Sequence, residues 1–236
     1  MLYLDDYFHQ HPGSDWGICG VGLLDYDYDR RMRDALQSQD CLYTLVERSQ
    51  EGDHARIIGS ITRYLFAPDN RQAVIEALAD PKCRIVTLTI TESGYYYIEG
   101  SGNFDVNHPT MQHDLLHPSQ PLGTYGFLTA ALEKRRKQGL APFTVLSSLE
   151  QEIAIGEDGR KQGLAPFTVL SCDNIQGNGD MVRKMLTTFA EMRDPELGRW
   201  IAEQVAFPNC MVDRMGACHF CNKYLYLLCS FWRSTN

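Results

Sequence analysis

The sequence predicts an α/β fold built on one mostly parallel sheet with helices on its flanks. RIVTLTI, residues 84–90, is rich in β-branched residues and apolar on both faces, the pattern of a strand buried between layers of helices. PFTVLS, residues 166–171, is a second run of the same kind. Between such runs lie stretches of ten or more residues with helical spacing, and strands joined through helices form right-handed β-α-β units.

In chain order, Trp16 to Leu24 (WGICGVGLL) is a short apolar run, and Arg30 to Gln37 has helical spacing. Leu42 to Val46 and Arg56 to Phe66 read as β-rich. Pro68-Asp69-Asn70 opens a helix, RQAVIEALAD, that Pro81 closes. Gly123 to Lys137 is helical, and Lys134-Arg135-Arg136-Lys137 reads as its solvated last turn, where cations suit the helix dipole. Met181, Met185, Phe189 and Met192 mark one face of a later helix. Asp194-Pro195-Glu196 starts another, with an N-cap acid and a proline at the first position.

With 236 residues, 44% hydrophobic and 22% charged, the chain is long and apolar enough for one or two globular domains. Its formal net charge of -8 gives no electrostatic footprint for a nucleic-acid backbone or an anionic membrane surface. No run approaches the ~18 apolar residues of a membrane span. Asp5 and Asp6 follow Met1 where a secretory signal would be basic and then apolar. A cytoplasmic protein without nucleic-acid or membrane partners is expected. The eight cysteines then read as free thiols. Cys218-His219-Phe220-Cys221 gives a C-x-x-C, but a structural zinc needs four ligands, and His219 and Cys229 are poorly spaced to complete the set, so no metal is expected.

RKQGLAPFTVLS occurs twice, at residues 136–147 and 160–171. A solenoid would repeat throughout, whereas here one strand-like segment alone is duplicated. The intervening SLEQEIAIGEDG is polar and acidic, which suits an exposed excursion. The second copy runs directly into SCDN and the next helix, so it is expected to be the strand, with the first copy displaced or competing for the same place.

In open parallel sheets ligands bind beyond the carboxyl ends of the strands. The residues just past each apolar run are therefore the candidates: Asp25, Asp27 and Asp29; Thr91 and Glu92; Cys172, Asp173 and Asn174, then Gly177-Asn178-Gly179. Any one of these taken alone reads first as a turn or helix cap, Asp173 and Asn178 above all. Gly20-Val21-Gly22 resembles the start of a dinucleotide fingerprint but has no third glycine at the required spacing.

DWGICGVGL, DRRMRDAL, QDCLYTLVER, IIGSITRYLFAP, RIVTLTITESGY, PFTVLSCDN with NGDMVRKMLTTFA, and VAFPNCMVDR follow one another in an order that closely resembles the amino-terminal half of the long-chain mannitol 2-dehydrogenases. The resemblance runs from Leu2 to Arg214 and implies a Rossmann-like, NAD-binding domain over residues 1–214, with a duplicated segment inside 136–171 and a tail, 215–236, outside the family pattern. It implies NAD as cofactor, D-mannitol and D-fructose as the small-molecule pair, and no metal. Asp29 followed by Arg30 corresponds to the acid that selects the ribose hydroxyls of NAD, although two extra residues in DYDYD leave Asp27 open. An acid there repels a 2′-phosphate. Glu92 corresponds to a glutamate associated with proton passage to solvent. Asn174 corresponds to the asparagine whose amide binds the reacting oxygen, and it counts with Asp29 and Arg30 toward the cofactor. Asp213 corresponds to a polyol-contacting aspartate.

The departures are as informative. The resemblance implies an earlier first strand and a Gly-x-Gly-x-x-x-x-Arg-Ala-His phosphate loop, with MLYLDDYF inside the helix that follows. After MVDR the sequence reads MGACHFCNKYLYLLCSFWRSTN, and the family's Lys-x4-Asn-x2-His base motif occurs nowhere. The tail reads either as intron-derived residues or as an added interaction helix, its LYLLCSFW apolar enough to stick to an exposed core face. Together these point to a misassembled or decayed dehydrogenase copy that is inactive. Three classes stay open: an NAD-dependent enzyme, a non-catalytic binding protein, and a zinc module on Cys218 and Cys221.

Overall fold

The computed structural model describes residues 2–11, 16–49, 52–89, 96–98, 103–140, 168–171, 177–209 and 224–230. The chain runs through α1 (Leu2–Gln10), β1 (Trp16–Gly22), α2 (Asp27–Ser38), β2 (Tyr43–Ser49), β3 (Gly52–Ile58) and β4 (Ile61–Phe66). There follow α3 (Arg71–Ala79), β5 (Cys83–Thr89), β6 (Tyr97–Ile98), β7 (Asn103–Phe104), α4 (Pro109–Leu116) and α5 (Thr124–Lys137). The last described elements are β8 (Thr168–Ser171), α6 (Asn178–Arg193), α7 (Pro195–Gln204) and β9 (Tyr224–Ser230).

Five strands form the main sheet, in the order β4-β1-β9-β5-β8. β1 runs parallel to β4 and β5 parallel to β8, while β9 is antiparallel to both of its neighbours, β1 and β5. Four of the five strands thus run the same way, the parallel arrangement that the two-faced apolar runs predict, with β9 reversed among them. RIVTLTI and the second PFTVLS are direct neighbours, with Ile85 opposite Thr168 and Leu88 opposite Ser171. The tail is not a helix in its described part. Residues 224–230 are a strand at the centre of the sheet, so the described part of that apolar segment is integrated into it. Hairpin β2-β3 and the short β6-β7 pair form separate two-stranded sheets.

Alternation along the strands separates two layers. Ile18, Ile61, Tyr64 and Phe66 face Leu36 of α2 and Phe8 of α1. Cys19, Val21, Val86 and Leu88 face the larger core built by α3, α5, α6 and α7. α5 is buried continuously from Thr124 to Leu132, a helix apolar on every side because other helices surround it.

That burial alters one sequence reading. Of the four cations ending α5, Arg135 is not solvated: it is 2% exposed and donates to the carbonyls of Leu78, Ala79, Asp80 and Cys83, closing the carboxyl end of α3. Similarly, Met185 and Phe189 are fully buried on α6, but Met192 is 44% exposed. Asp194 caps α7 as expected, its side chain accepting from the Glu196 N–H at 2.9 Å.

Candidate functional site

β1, β4, β5 and β8 point the same way, so their carboxyl ends, at Gly22, Phe66, Thr89 and Ser171, share one edge of the sheet. This is the edge at which open α/β sheets bind ligands. Gly22 is demanded there by packing. A Cβ on it would lie 2.5 Å from the Tyr64 hydroxyl and 3.1 Å from the Phe66 ring. Gly20-Val21-Gly22 is therefore a piece of strand packed on β4, and no helix begins after it until Asp27.

Past β1, the chain passes Asp25 and enters α2, whose first turn carries Asp27 and Asp29 where the helix dipole favours acids. α2 begins three positions ahead of the helical spacing read from Arg30. Asp29 is buried, 7% exposed, whereas Asp25 stands more than half exposed at the mouth of the edge. Arg30 joins the acids: its Nε donates to Asp25 Oδ1 at 2.7 Å and its Nη1 to Asp27 Oδ1 at 3.1 Å. The hydrogen bond from Arg30 holds the Asp25 carboxyl below its usual range, against the opposing effect of desolvation.

The turn after β4 brings a further acid, Asp69, to the same edge. Arg33 Nη1 lies 2.9 Å from both carboxylate oxygens of Asp69, its Nε donates to Asp34 at 2.8 Å, and its guanidinium sits 5.1 Å over the Phe66 ring. Asp69 was legible in the sequence only as part of a helix start, yet it follows an apolar strand by the same rule that singled out Asp25. The mouth of the β1-β4 half is thus a set of acids, Asp25, Asp27 and Asp69, each held by one of two arginines. Such a surface accepts hydrogen bonds from vicinal hydroxyls and disfavours a further phosphate.

On the β5-β8 half, Glu92 and Asn174 each follow a strand end, Thr89 and Ser171, by three positions in the sequence. Glu92, Asn174 and Asp213 lie outside the described residues, as do Cys218, His219 and Cys221. Asp29 and Arg30 are the two predicted site residues that the structure describes, side by side at the start of α2. Among the described residues no three His, Cys, Asp or Glu gather as a metal site would need, and no helix is long and apolar enough to cross a membrane.

Near α5, Asp114 is fully withdrawn from solvent and accepts the N–H groups of Leu122 and Gly123 at 2.8 Å each, fixing the turn into that helix. Tyr96, in a left-handed conformation with φ 51°, packs edge-on to His108, and burial pushes its hydroxyl pKa up.

The mannitol dehydrogenase Rossmann-domain family matches residues 3–160 and again 147–224, two passes that overlap across the duplicated segment. A mannitol 2-dehydrogenase of Aspergillus terreus is 50% identical over 216 residues, covering 91% of this chain and 38% of that protein. One from Pyricularia oryzae is 45% identical over the same shares. Among solved structures, the Pseudomonas fluorescens mannitol 2-dehydrogenase in ternary complex with NAD and D-mannitol superposes with a TM-score of 0.73 at 42% identity, over 90% of this chain and 38% of that one. A substrate-free D-sorbitol dehydrogenase gives 0.74 at 36% identity, covering 90% of this chain and 39% of that one. The chain spans less than two fifths of the length of these relatives. With the family matched over most of its residues and the parallel sheet in place, the chain belongs to the mannitol dehydrogenase Rossmann-domain family.

Proposed function

We propose that these 236 residues are the nucleotide-side portion of an NAD-dependent mannitol 2-dehydrogenase, a unit that contributes a half-site and performs no turnover by itself. The observation that carries the reading is the acid-lined edge of the β1-β4 half in a domain of this family. Asp29 with Arg30 is assigned to the cofactor's ribose, with exposed Asp25 beside them supporting a preference for free hydroxyls over a 2′-phosphate. Asn174 is assigned to the reacting oxygen, Glu92 to proton passage and Asp213 to the polyol.

The reaction removes a hydride from a carbinol carbon of D-mannitol and a proton from its hydroxyl, giving D-fructose. NAD, when bound, accepts the hydride. The proton needs a base, and no Lys-x4-Asn-x2-His occurs in this sequence to supply it. A general base contributes about 10²–10⁴-fold, so the chain alone is expected to be inactive. A cytoplasmic setting, the expectation from the sequence, belongs to the same proposal.

The test is NADH formation with saturating mannitol and NAD at mildly alkaline pH. Background rates are expected. Turnover within tenfold of a full-length relative, abolished by Asn174→Ala, would overturn the inactive half-site.

A further inference from the structure

In a doubly wound dinucleotide-binding sheet of order 3-2-1-4-5-6, the strand between positions 2 and 4 runs parallel to the rest, and the loop after it seats the pyrophosphate at a helix amino terminus. The four parallel strands here take the neighbouring positions in the same order: β4 and β1 on one side, β5 and β8 on the other. Between them lies β9, from the far end of the sequence, and it runs the opposite way.

The fit is thorough on both edges. Trp16 to Gly22 pair with Ser230 to Tyr224 without a break, and Ile85 to Thr89 pair with Leu228 to Tyr224 on the other side. YLYLLCS carries no charged residue, the composition of a central strand. Among the described residues β1 and β5 have no pairing with each other, so every ladder joining the two halves of the sheet passes through β9. Cys19, Val21, Val86 and Leu88 are all fully buried beside it. Without β9 their strands would each hold a row of unpaired backbone groups away from water, an arrangement that folded proteins avoid.

Direction matters for chemistry. The amino end of β9, Tyr224, pairs with Gly22 and Thr89 at the ligand edge. The chain therefore enters the sheet there instead of leaving it, and this strand leads no helix amino terminus to that edge.

We propose that β9 is a self-supplied central strand, holding the sheet together in the position of the nucleotide-binding strand but in reverse, so that the domain folds with its pyrophosphate seat closed. The second half rests on the dinucleotide-binding reading above; the first does not.

Hydrogen exchange on the whole chain tests the first half. Peptides covering 16–22, 83–89 and 224–230 are expected to share the slowest exchange, about 10²-fold or more slower than unprotected chain. Leu227→Pro, which deletes a ladder N–H opposite Cys19 and Val86, is expected to release all three together. Rapid exchange of 224–230 in the parent protein, with the other two protected, would overturn it. Direction is read from Tyr224→Cys oxidised with diamide, which takes two thiols to a disulfide as it is reduced to the hydrazine. Cys83 is expected to link to Cys229, its register partner, and linkage to the cysteine introduced at 224 would overturn the reversed strand. NAD titration should show no saturation below ~1 mM, and micromolar binding by the parent chain would overturn the closed seat while leaving the exchange result to stand.

Discussion

In the first copy of RKQGLAPFTVLS the described part, residues 136–140, is a helix end; in the second, residues 168–171, it is a strand. Arg136 and Lys137 finish α5, and Gly139, with φ 67°, turns the chain out. The Leu140 N–H reaches the Arg135 carbonyl at 2.9 Å and the Gly139 N–H reaches that of Arg136 at 3.1 Å, the paired bonds of a Schellman motif. The identical RKQGL at 160–164 lies outside the described residues, as does the first PFTVLS. Both structural messages are written in each copy. What selects between them is the neighbour: α5 feeds the glycine of the first copy, and β5 together with the SCDN that leads to α6 receives the strand of the second.

The largest expected effect comes from charging the same position in each copy. Val169 lies in an apolar strand run and is the register partner of fully buried Val86, so Val169→Asp should cost about 3 kcal/mol. Val145→Asp, twenty-four positions earlier, should cost far less. Thermal melts of the two variants decide it. Equal losses would mean that both copies visit the sheet, and a larger loss at Val145 would exchange their roles.

Next comes removal of the duplication. Deleting 148–171 or 141–164 gives the same 212-residue protein (236 − 24), because the copies are identical. The connection from Leu140 to Thr168 then shrinks from 27 residues to 3, which should stabilise the fold by about 2 kcal/mol of closure entropy. That is a rise of roughly 4–8 °C in Tm for a chain of this size. A fall in Tm would show that the insert packs into the fold.

The contrast between copies also marks how far sequence reaches. RIVTLTI could be placed as a central strand because burial on both faces leaves its signature in the residues themselves. YLYLLCS leaves a similar signature, but a short apolar run does not separate strand from helix, and the pairing that decides between them lies about 140 positions away in β5 and 200 in β1. The buried Arg135 escaped for another reason. Four successive cations look like a solvated turn, yet on a helix enclosed by others one of the four must face inward, and it can do so only where spare carbonyls await it. At the site, composition and strand ends brought out Asp25, Asp27 and Asp29 together. Choosing Asp29 among them needed the family resemblance, since an acid in a helix's first turn is also an ordinary partner of the dipole.

A smaller effect should separate the two glycines. At Gly139 a Cβ would meet nothing within 4 Å, so Gly139→Ala tests backbone conformation alone, and the left-handed φ should cost about 1 kcal/mol. Gly163→Ala, the matching change in the second copy, should leave the melt unchanged. A cost at Gly163 equal to that at Gly139 would indicate a second helix exit.

The smallest effect concerns Arg136 and its duplicate, Arg160. Arg136 donates to Asp194 at 3.2 Å and to Glu196 at 3.1 Å, tying the end of α5 to the start of α7. The Asp194 carboxyl is held below its usual range chiefly by the Glu196 N–H, with Arg136 adding to the same direction. A carboxyl whose pKa is depressed in the folded state contributes stability above its unfolded value and loses it as pH falls through the folded one. Arg136→Ala should therefore lower Tm slightly at neutral pH, raise the Asp194 pKa toward the ordinary value, and make no difference once Asp194 is protonated. All three partners are at least partly exposed, so salt should shrink the shift further. Arg160→Ala should change neither Tm nor the Asp194 titration. Carboxyl-carbon NMR titrations of the two variants make the comparison. A shift in Asp194 on replacing Arg160 would show the second copy's cation at α7 and undo the division of labour between the copies.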